Sequence, residues 1–478
     1  MSDKEIIEKL TLLQNDMPDL IIKKIKCGIN KYVFIISMET LSSGDRVNDF
    51  ILKYFSNKSI VKNISNLEKD IKDNIPSINF KKVDNYESLL NFLFNGFTTI
   101  IYKDEVIAYE TRAELDRGVT EATSEPVVRG PKDSFTENYQ KNIGLIRRRV
   151  KSERLVLKEL DVGKETKSKV GILYLKNIAE EETVNDVLEK LEKINIDGVI
   201  DVNNLKEYLD DKNKTLFPTL MYTEKPDDAC RFLLDGRVII TMDTSPSVVV
   251  APSFFVDFFQ NSEDFYHKSF FASFMRIIRI SAFFLSIITP ALFIAIINYD
   301  PEILPVSLLI NFSEQRNSVP FPAIIEAFIL MFTFELLYEG DSRTPTTRGT
   351  SLSVLGALVL GDAAVQAGLI SPIMVIVVSI SAISSLIFIY YDIQGSIRFY
   401  RYFLMVLSAL FGIIGFIIGM QFLLLDITSI KTFKKPYTLP LAPLYMEKNT
   451  DNFLKKSLRK IKKRPAYLTK KNIVKENT

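Results

Sequence analysis

The stretch Ile280 to Asn298, ISAFFLSIITPALFIAIIN, carries no charged side chain. A helix needs about twenty apolar residues to cross a bilayer core of ~30 Å. Inside lipid, backbone polar groups are satisfied only in helices or closed barrels. Three further runs, nearly free of charge, follow at Ser351 to Ile370, Pro372 to Tyr391 and Phe403 to Leu425. A fifth, Ala323 to Leu337, is ambiguous because it holds Glu326 and Glu335 as intramembrane acids. Nothing before Ser269 resembles these runs. The expected architecture is an α/β soluble region of two related subdomains followed by an all-α multi-helix transmembrane domain.

Working outward, Pro290 removes one helical hydrogen bond from the first run and should kink it. Arg276 and Arg279 mark its cytoplasmic mouth by the positive-inside rule. The chain of 478 residues has a formal net charge of only +2, unevenly spread. From Lys431 onward fourteen Lys and Arg stand against three acids. That tail reads as cytoplasmic, either solvated and setting orientation or lying against anionic lipid headgroups. Polar loops at Arg343 to Arg348 and Arg398 to Arg401 compete for the same side. With both ends cytoplasmic the crossings must be even in number, which leaves Ala323–Leu337 partial, interfacial or pore-associated.

The N-terminus has no signal-peptide pattern, so the first 260 residues are expected in the cytoplasm. Cys27 and Cys230 are too far apart in sequence to argue a disulfide framework and are expected reduced. The single His267 excludes a multi-histidine metal site, and no metal, cofactor or enzyme motif is expected. Gly340-Asp341-Ser342 has the look of a hydrolase serine, but no His accompanies it to activate the hydroxyl.

The soluble half repeats itself. Lys31 to Met38 reads as a buried strand, a helix follows from Asp45, and a second helix from Tyr86 to Phe94 leads through Asn95-Gly96 into a hairpin of Phe97–Tyr102 and Val106–Glu110. The same order returns at Lys169 to Leu175, Val184-Asn185-Asp186, Phe232-Leu233-Leu234-Asp235-Gly236 and the hairpin Arg237–Met242 with Val248–Ala251. The offset drifts only from 137 to 140 residues. The expected domains are a helical lead-in at 1–25, subdomains at 26–115 and 165–262, a linker with a basic helix at 116–164, the transmembrane domain at 263–427 and a basic tail at 428–478. In the linker, Arg147-Arg148-Arg149 invites nucleic acid, yet no aromatic-interleaved surface accompanies it. A solvated or subunit-contacting helix, and no nucleic acid, is expected.

The chain resembles the A subunits of the GerA family of spore germinant receptors. The resemblance rests on Glu125-Pro126-Val127-Val128-Arg129-Gly130-Pro131, on Asn142-Ile143-Gly144-Leu145-Ile146-Arg147-Arg148-Arg149 and on Phe258-Phe259-Gln260-Asn261-Ser262-Glu263-Asp264-Phe265-Tyr266. Asp235-Gly236-Arg237-Val238, Val319-Pro320-Phe321-Pro322, the run Gly356 to Gly368 and Pro440-Leu441-Ala442-Pro443 add to it. It implies an integral protein of the spore inner membrane, partnered by a transporter-like B subunit and a lipoprotein C subunit. It also implies a homo-oligomer of A subunits forming a nutrient-opened ion channel. The alternative within reach of the same resemblance is a SpoVA-associated paralogue acting downstream in ion or dipicolinate release. A transporter proper is disfavoured, because the helical half shows no inverted repeat of interrupted helices.

Two helices can be read physically beside the resemblance. On Ser351–Ile370, Ala357, Gly361, Ala364 and Gly368 form a small-residue face suited to helix packing, as do Gly415 and Gly419 near the end of the membrane block. Leu355, Val359, Asp362 and Gln366 gather on the opposite face and are the pore-lining candidates. An aspartate facing lipid at mid-membrane costs about 2.5–3.5 kcal/mol, so Asp362 should face water or a partner. The family resemblance implies a Gln at the position of Asp362 and a Glu at that of Gln366. The exchange keeps one acid on the face.

Overall fold

The computed structural model describes residues 3–28, 31–56, 71, 75, 80–103, 105–113, 125, 127–210, 215–343, 361–444 and 454–475. Two five-stranded antiparallel sheets make up the N-terminal half. The first contains β1 (Leu20–Gly28), β2 (Lys31–Met38), β3 (Phe80–Lys82), β4 (Phe97–Tyr102) and β5 (Glu105–Glu110). The second contains β6 (Leu155–Val162), β7 (Ser168–Leu175), β8 (Met221–Thr223), β9 (Val238–Met242) and β10 (Val248–Ala251). Their spatial orders, β1-β2-β4-β5-β3 and β6-β7-β9-β10-β8, are one and the same topology.

The likeness extends to backbone detail. α1 (Asp3–Gln14) precedes the first sheet, and α2 (Tyr86–Leu93) leads into Gly96, which takes φ +80°. In the second repeat α3 (Tyr139–Arg149) and α4 (Glu181–Glu192) precede α5 (Pro226–Asp235), which ends in Gly236 at φ +100°. Only glycine adopts such angles freely. A Cβ at Gly96 would meet the carbonyl of Leu41 at 2.7 Å, and one at Gly236 the carbonyl of Ile178 at 3.1 Å. Leu41 and Ile178 are themselves equivalent in the two repeats.

Three sequence expectations are corrected here. The lead-in is not wholly helical, and the linker is not only loop and helix: edge strands β1 and β6 lie there, paired to β2 and β7 over their whole lengths. The basic helix α3 is not simply solvated. Asn142 to Arg147 are all buried, and Arg147 pairs with Asp19 of the first repeat at 2.6 Å. Arg149 pairs with Asp133 at 2.5 Å. A charged residue enters a core only with a partner; here the triplet spends two of its charges joining segments of the soluble half.

The basic tail is not simply solvated, since several of its side chains are tied to the second repeat. β11 (Lys431–Thr432) and β12 (Lys435–Pro436) form a small hairpin against the second repeat. Phe433 is buried in that repeat's outer core beside Val184, Val187 and Leu191. Lys435 and Lys470 both reach Glu180 at 2.6 Å, Lys471 reaches Glu181 at 2.7 Å, and Lys475 reaches Asp235 at 2.5 Å. Burial opposes the charge of Glu180, but the two lysines hold its carboxyl below the usual value. Three acids at or near helix ends, paired with four lysines, thus turn the tail into a strap.

The C-terminal half is helical: α6 (Ser269–Tyr299), α7 (Val306–Arg316), α8 (Ala323–Arg343), α9 (Pro372–Ser385) and α10 (Tyr391–Ser429). α6 and α10 are long and apolar enough to cross a membrane. Two of the expected single crossings are not single rods. The run Pro372–Tyr391 stops as a helix at Ser385, where the Ser385 hydroxyl turns back to the Ala382 carbonyl at 2.7 Å. The run Phe403–Leu425 folds back on itself: Gly412 has φ +60°, ψ −141°, and breaks α10 into arms 391–411 and 413–429. Tyr400 donates to Asp426 at 2.5 Å, and Phe403 meets Phe422 with ring centroids 6.1 Å apart, so the arms lie antiparallel. Gly415 and Gly419 sit against Leu407 and Leu404 of the first arm. Continuous apolar sequence hides such a turn, since neither arm changes composition.

Candidate functional site in the helical domain

Pro290 is where the helical domain's polar node begins. It has no N–H, so the carbonyl of Ser286, four residues earlier, loses its helical donor. That carbonyl is buried, and an unpaired buried carbonyl is costly. The structure satisfies it from two other helices: Arg401 Nε donates at 2.9 Å and Ser381 Oγ at 2.5 Å. α6 stays continuous through the proline, because its orphaned carbonyl becomes the point on which α9 and α10 meet it.

Arg401 is fully buried and also lies 3.6 Å from Glu335, which pairs with Arg398 at 3.0 Å. A second guanidinium nitrogen of Arg401 reaches the Met331 sulfur at 3.4 Å. The expectation that Arg398 to Arg401 form a polar loop is therefore wrong. Both arginines stand on the first arm of α10 and face the acid of α8. The signal was present in the sequence: an acid inside one apolar run and two arginines, three residues apart, at the edge of another. Oppositely charged groups in apolar helices must find each other or water.

Glu326 lies at the other end of α8, fully buried. Its Oε2 accepts from the Ser371 backbone N–H at 2.9 Å and hydroxyl at 2.7 Å, which caps the start of α9. Arg316 stands 3.5 Å away. Glu326 and Glu335 of α8 are thus both turned inward to partners.

Of the pore-lining candidates, Leu355 and Val359 lie outside the described residues, as does Ala357 of the packing face. Asp362 and Gln366 are both exposed, and the Gln366 amide donates to Asp362 at 2.7 Å. Among the described residues, no neighbouring atom lies within 4 Å of the position a Cβ on Gly361 would take. Ala364 packs partly against the core. Gly368 does not serve as a packing residue here. It ends its helix in the left-handed region at φ +65°, with only the Ser318 carbonyl near its would-be Cβ, at 3.5 Å.

The bundle meets the soluble half through the second repeat. Phe217 stacks on Tyr400 at 5.5 Å, Lys206 pairs with Asp392, and Thr432 donates to the Thr219 carbonyl at 3.2 Å. At the foot of α6, Arg276 and Arg279 are not free markers of a membrane face. Both bind Asp264, at 3.1 and 2.8 Å. Burial alone would raise the Asp264 pKa, but the two guanidiniums hold it below the usual carboxylate value. Cys230 is a free, buried thiol, pushed up to about 12 by burial.

Much of the helical surface is apolar and uncovered: Phe332, Ile383, Leu410, Ile414 and Leu425 are each more than half exposed. Single exposed apolar residues are ordinary, but a continuous patch of this kind marks a lipid or protein contact.

The family model described as Bacillus/Clostridium GerA spore germination protein matches residues 8–467. Spore germination protein KA of Bacillus subtilis (strain 168) is 32% identical over 462 residues, covering 96% of this chain and 85% of that protein. Spore germination protein XA of Bacillus anthracis is 34% identical over 80% of this chain and 78% of its own length. A B. subtilis relative described as an uncharacterized membrane protein, YfkQ, is 30% identical over 98% of this chain and 92% of its own. Among solved structures, the N-terminal domain of the A subunit of the Bacillus megaterium spore germinant receptor GerK3 matches with TM-score 0.40 and 26% identity. That match covers 52% of this chain and 95% of the other. The chain belongs to the GerA family of spore germination proteins.

Proposed function

We propose that this protein is the A subunit of a germinant receptor in the spore inner membrane, and that copies of it assemble into a ring that conducts ions when a nutrient is sensed. In this reading it works with a transporter-like B subunit and a lipoprotein C subunit, and its soluble half and strap stand on the cytoplasmic side. The divisions at 26–115, 165–262 and 263–427 belong to the same proposal.

The observation that supports the channel is the exposed Asp362–Gln366 pair in a domain where Glu326 and Glu335 are paired internally with arginines. An aspartate left outward on an apolar bundle is stable beside water or a neighbouring subunit, not beside lipid. With Gly361 open for a close helix approach, a ring would place Leu355 and Val359 as an apolar constriction. Asp362 would then form a ring of negative charge that favours cations.

Potassium efflux from germinating spores tests this, with protein levels followed by immunoblot. Asp362→Asn is expected to slow efflux, and Val359→Ala to make spores leaky and less dormant. Normal efflux and dormancy in both strains at normal protein level removes this helix from the pore. A deletion strain that answers every nutrient at the normal rate removes the receptor role.

A further inference from the structure

A cavity of about 500 Å³ lies apart from the helical node, between α5, the end of α3, the turns Phe255–Phe259 and Ser262–Phe265, and the C-terminal strap. That volume falls in the range of small-molecule sites, ~300–1,000 Å³. Its floor is apolar, with Val150, Cys230, Val256 and Leu468 all buried. The Cys230 thiol, raised to about 12 chiefly by burial, stays neutral and belongs to that floor.

The walls carry more positive than negative charge. Five cations line the cavity (Arg149, Arg231, Arg237, Lys463 and Lys475), against three acids, Asp227, Asp235 and Asp257. Each acid is already engaged. Asp257 holds Arg237 through two hydrogen bonds of 2.6 and 2.8 Å, Asp235 holds Lys475 at 2.5 Å, and Asp227 accepts from Tyr266 at 2.6 Å. The acids that balance Arg149 and Arg231, namely Asp133 and Asp228, are not lining residues. Arg231 is gripped between the Phe232 and Phe265 rings, 4.1 and 3.9 Å from their centroids, which fixes its charge in place. Lys463 makes no ion pair among the described residues and stands exposed at the mouth. Concave apolar walls with one sign of charge in excess concentrate ions of the other sign.

We propose that this cavity binds a small anion with an apolar body, of the monocarboxylate class, and that the C-terminal strap is its outer wall. Lys463, Tyr467, Leu468 and Lys475 of the strap line it, and the strap continues from the second arm of α10 through β11 and β12. An occupant is therefore held between the second repeat and the segment that leaves the helical bundle. This site is independent of the pore proposed above.

Three probes with the same ring and different charge test it: benzoate, benzyl alcohol and benzylamine, by saturation-transfer NMR on the purified full chain in nanodiscs. Benzoate is expected to bind best. Lys463→Glu, at an exposed position that leaves the fold intact, is expected to weaken benzoate about tenfold while changing benzyl alcohol less than about twofold. A preference for benzylamine, benzoate binding unchanged by Lys463→Glu, or no transfer to any probe overturns the proposal.

Discussion

The two soluble repeats share one strand order and the same left-handed glycine at the end of the helix before the hairpin, yet they are wired differently. Polar links from the first repeat run to the second half of the soluble region: Asp19 to Arg147, Glu39 to Gln140, Asp16 to Lys176. Links to the helices come from the second repeat, through Phe217, Lys206, Thr219 and Asp264. Duplication supplied two similar bodies, and later contacts made one a base plate and the other an appendage. Among the described residues, the polar links of the first repeat reach the helices only by way of the second half of the soluble region.

The largest test of that asymmetry is Arg147→Ala. It strands Asp19 in the core, and breaking a buried pair costs about 3–5 kcal/mol. The first repeat should become the early target in limited proteolysis while the second stays protected. Simultaneous cleavage of both would mean the repeats form a single unit.

Phe217→Ala should cost about 3 kcal/mol by opening a cavity beside Tyr400. It is expected to slow hydrogen exchange nowhere and speed it in α10, leaving the first repeat unchanged. Protection lost equally in both repeats would break the base-plate picture.

Glu125 sharpens the comparison through pH. Its carboxyl is buried beside Thr223 and Asp228, and its pKa is raised to about 8, chiefly by burial. The folded state therefore holds the proton more tightly than the unfolded chain, and stability should fall as pH rises from about 4.5 to about 8. Glu125→Gln should flatten that decline in thermal unfolding curves and leave the pH 4 value nearly unchanged. An identical slope in the variant would assign the decline to other groups. Asp264 works in the opposite sense, since its carboxyl is held below the usual value and its contribution is lost only as pH drops through that lowered pKa.

The smallest effect is expected at the strap's surface. Lys471→Ala removes an exposed pair with Glu181, and such pairs contribute little. Its melting temperature should move by less than about 2 °C. A larger shift would show that the strap's charges act as a network.

The repeat and the apolar runs were legible in the sequence because both rest on local pattern. The edge strands β1 and β6 were not recognised. Leu-Ile-Ile-Lys-Lys-Ile-Lys and Leu-Val-Leu-Lys-Glu-Leu-Asp-Val mix charge into the strand, since an edge has one side to solvent. The turn at Gly412 and the stop at Ser385 were hidden inside uniform hydrophobicity. The partners of Arg401, Glu335 and the Ser286 carbonyl lie far apart in sequence, joined by packing that no periodicity encodes. Pro290 announces a kink in the sequence, but its more important result, a carbonyl released for Arg401, depends on the neighbouring helices.

Phe433 has a consequence for how the molecule is made. Its ring completes the outer core of the second repeat, against Val184 and Leu191, although the rest of that repeat ends at Ala251. At ~5–20 residues per second, a ribosome needs roughly 10–40 s to travel from one to the other. During that interval the second repeat lacks that ring, while the helical half is being synthesised. A nascent chain stopped anywhere before Phe433 lacks that ring, so the outer core of the second repeat is completed only after the helical half has been made.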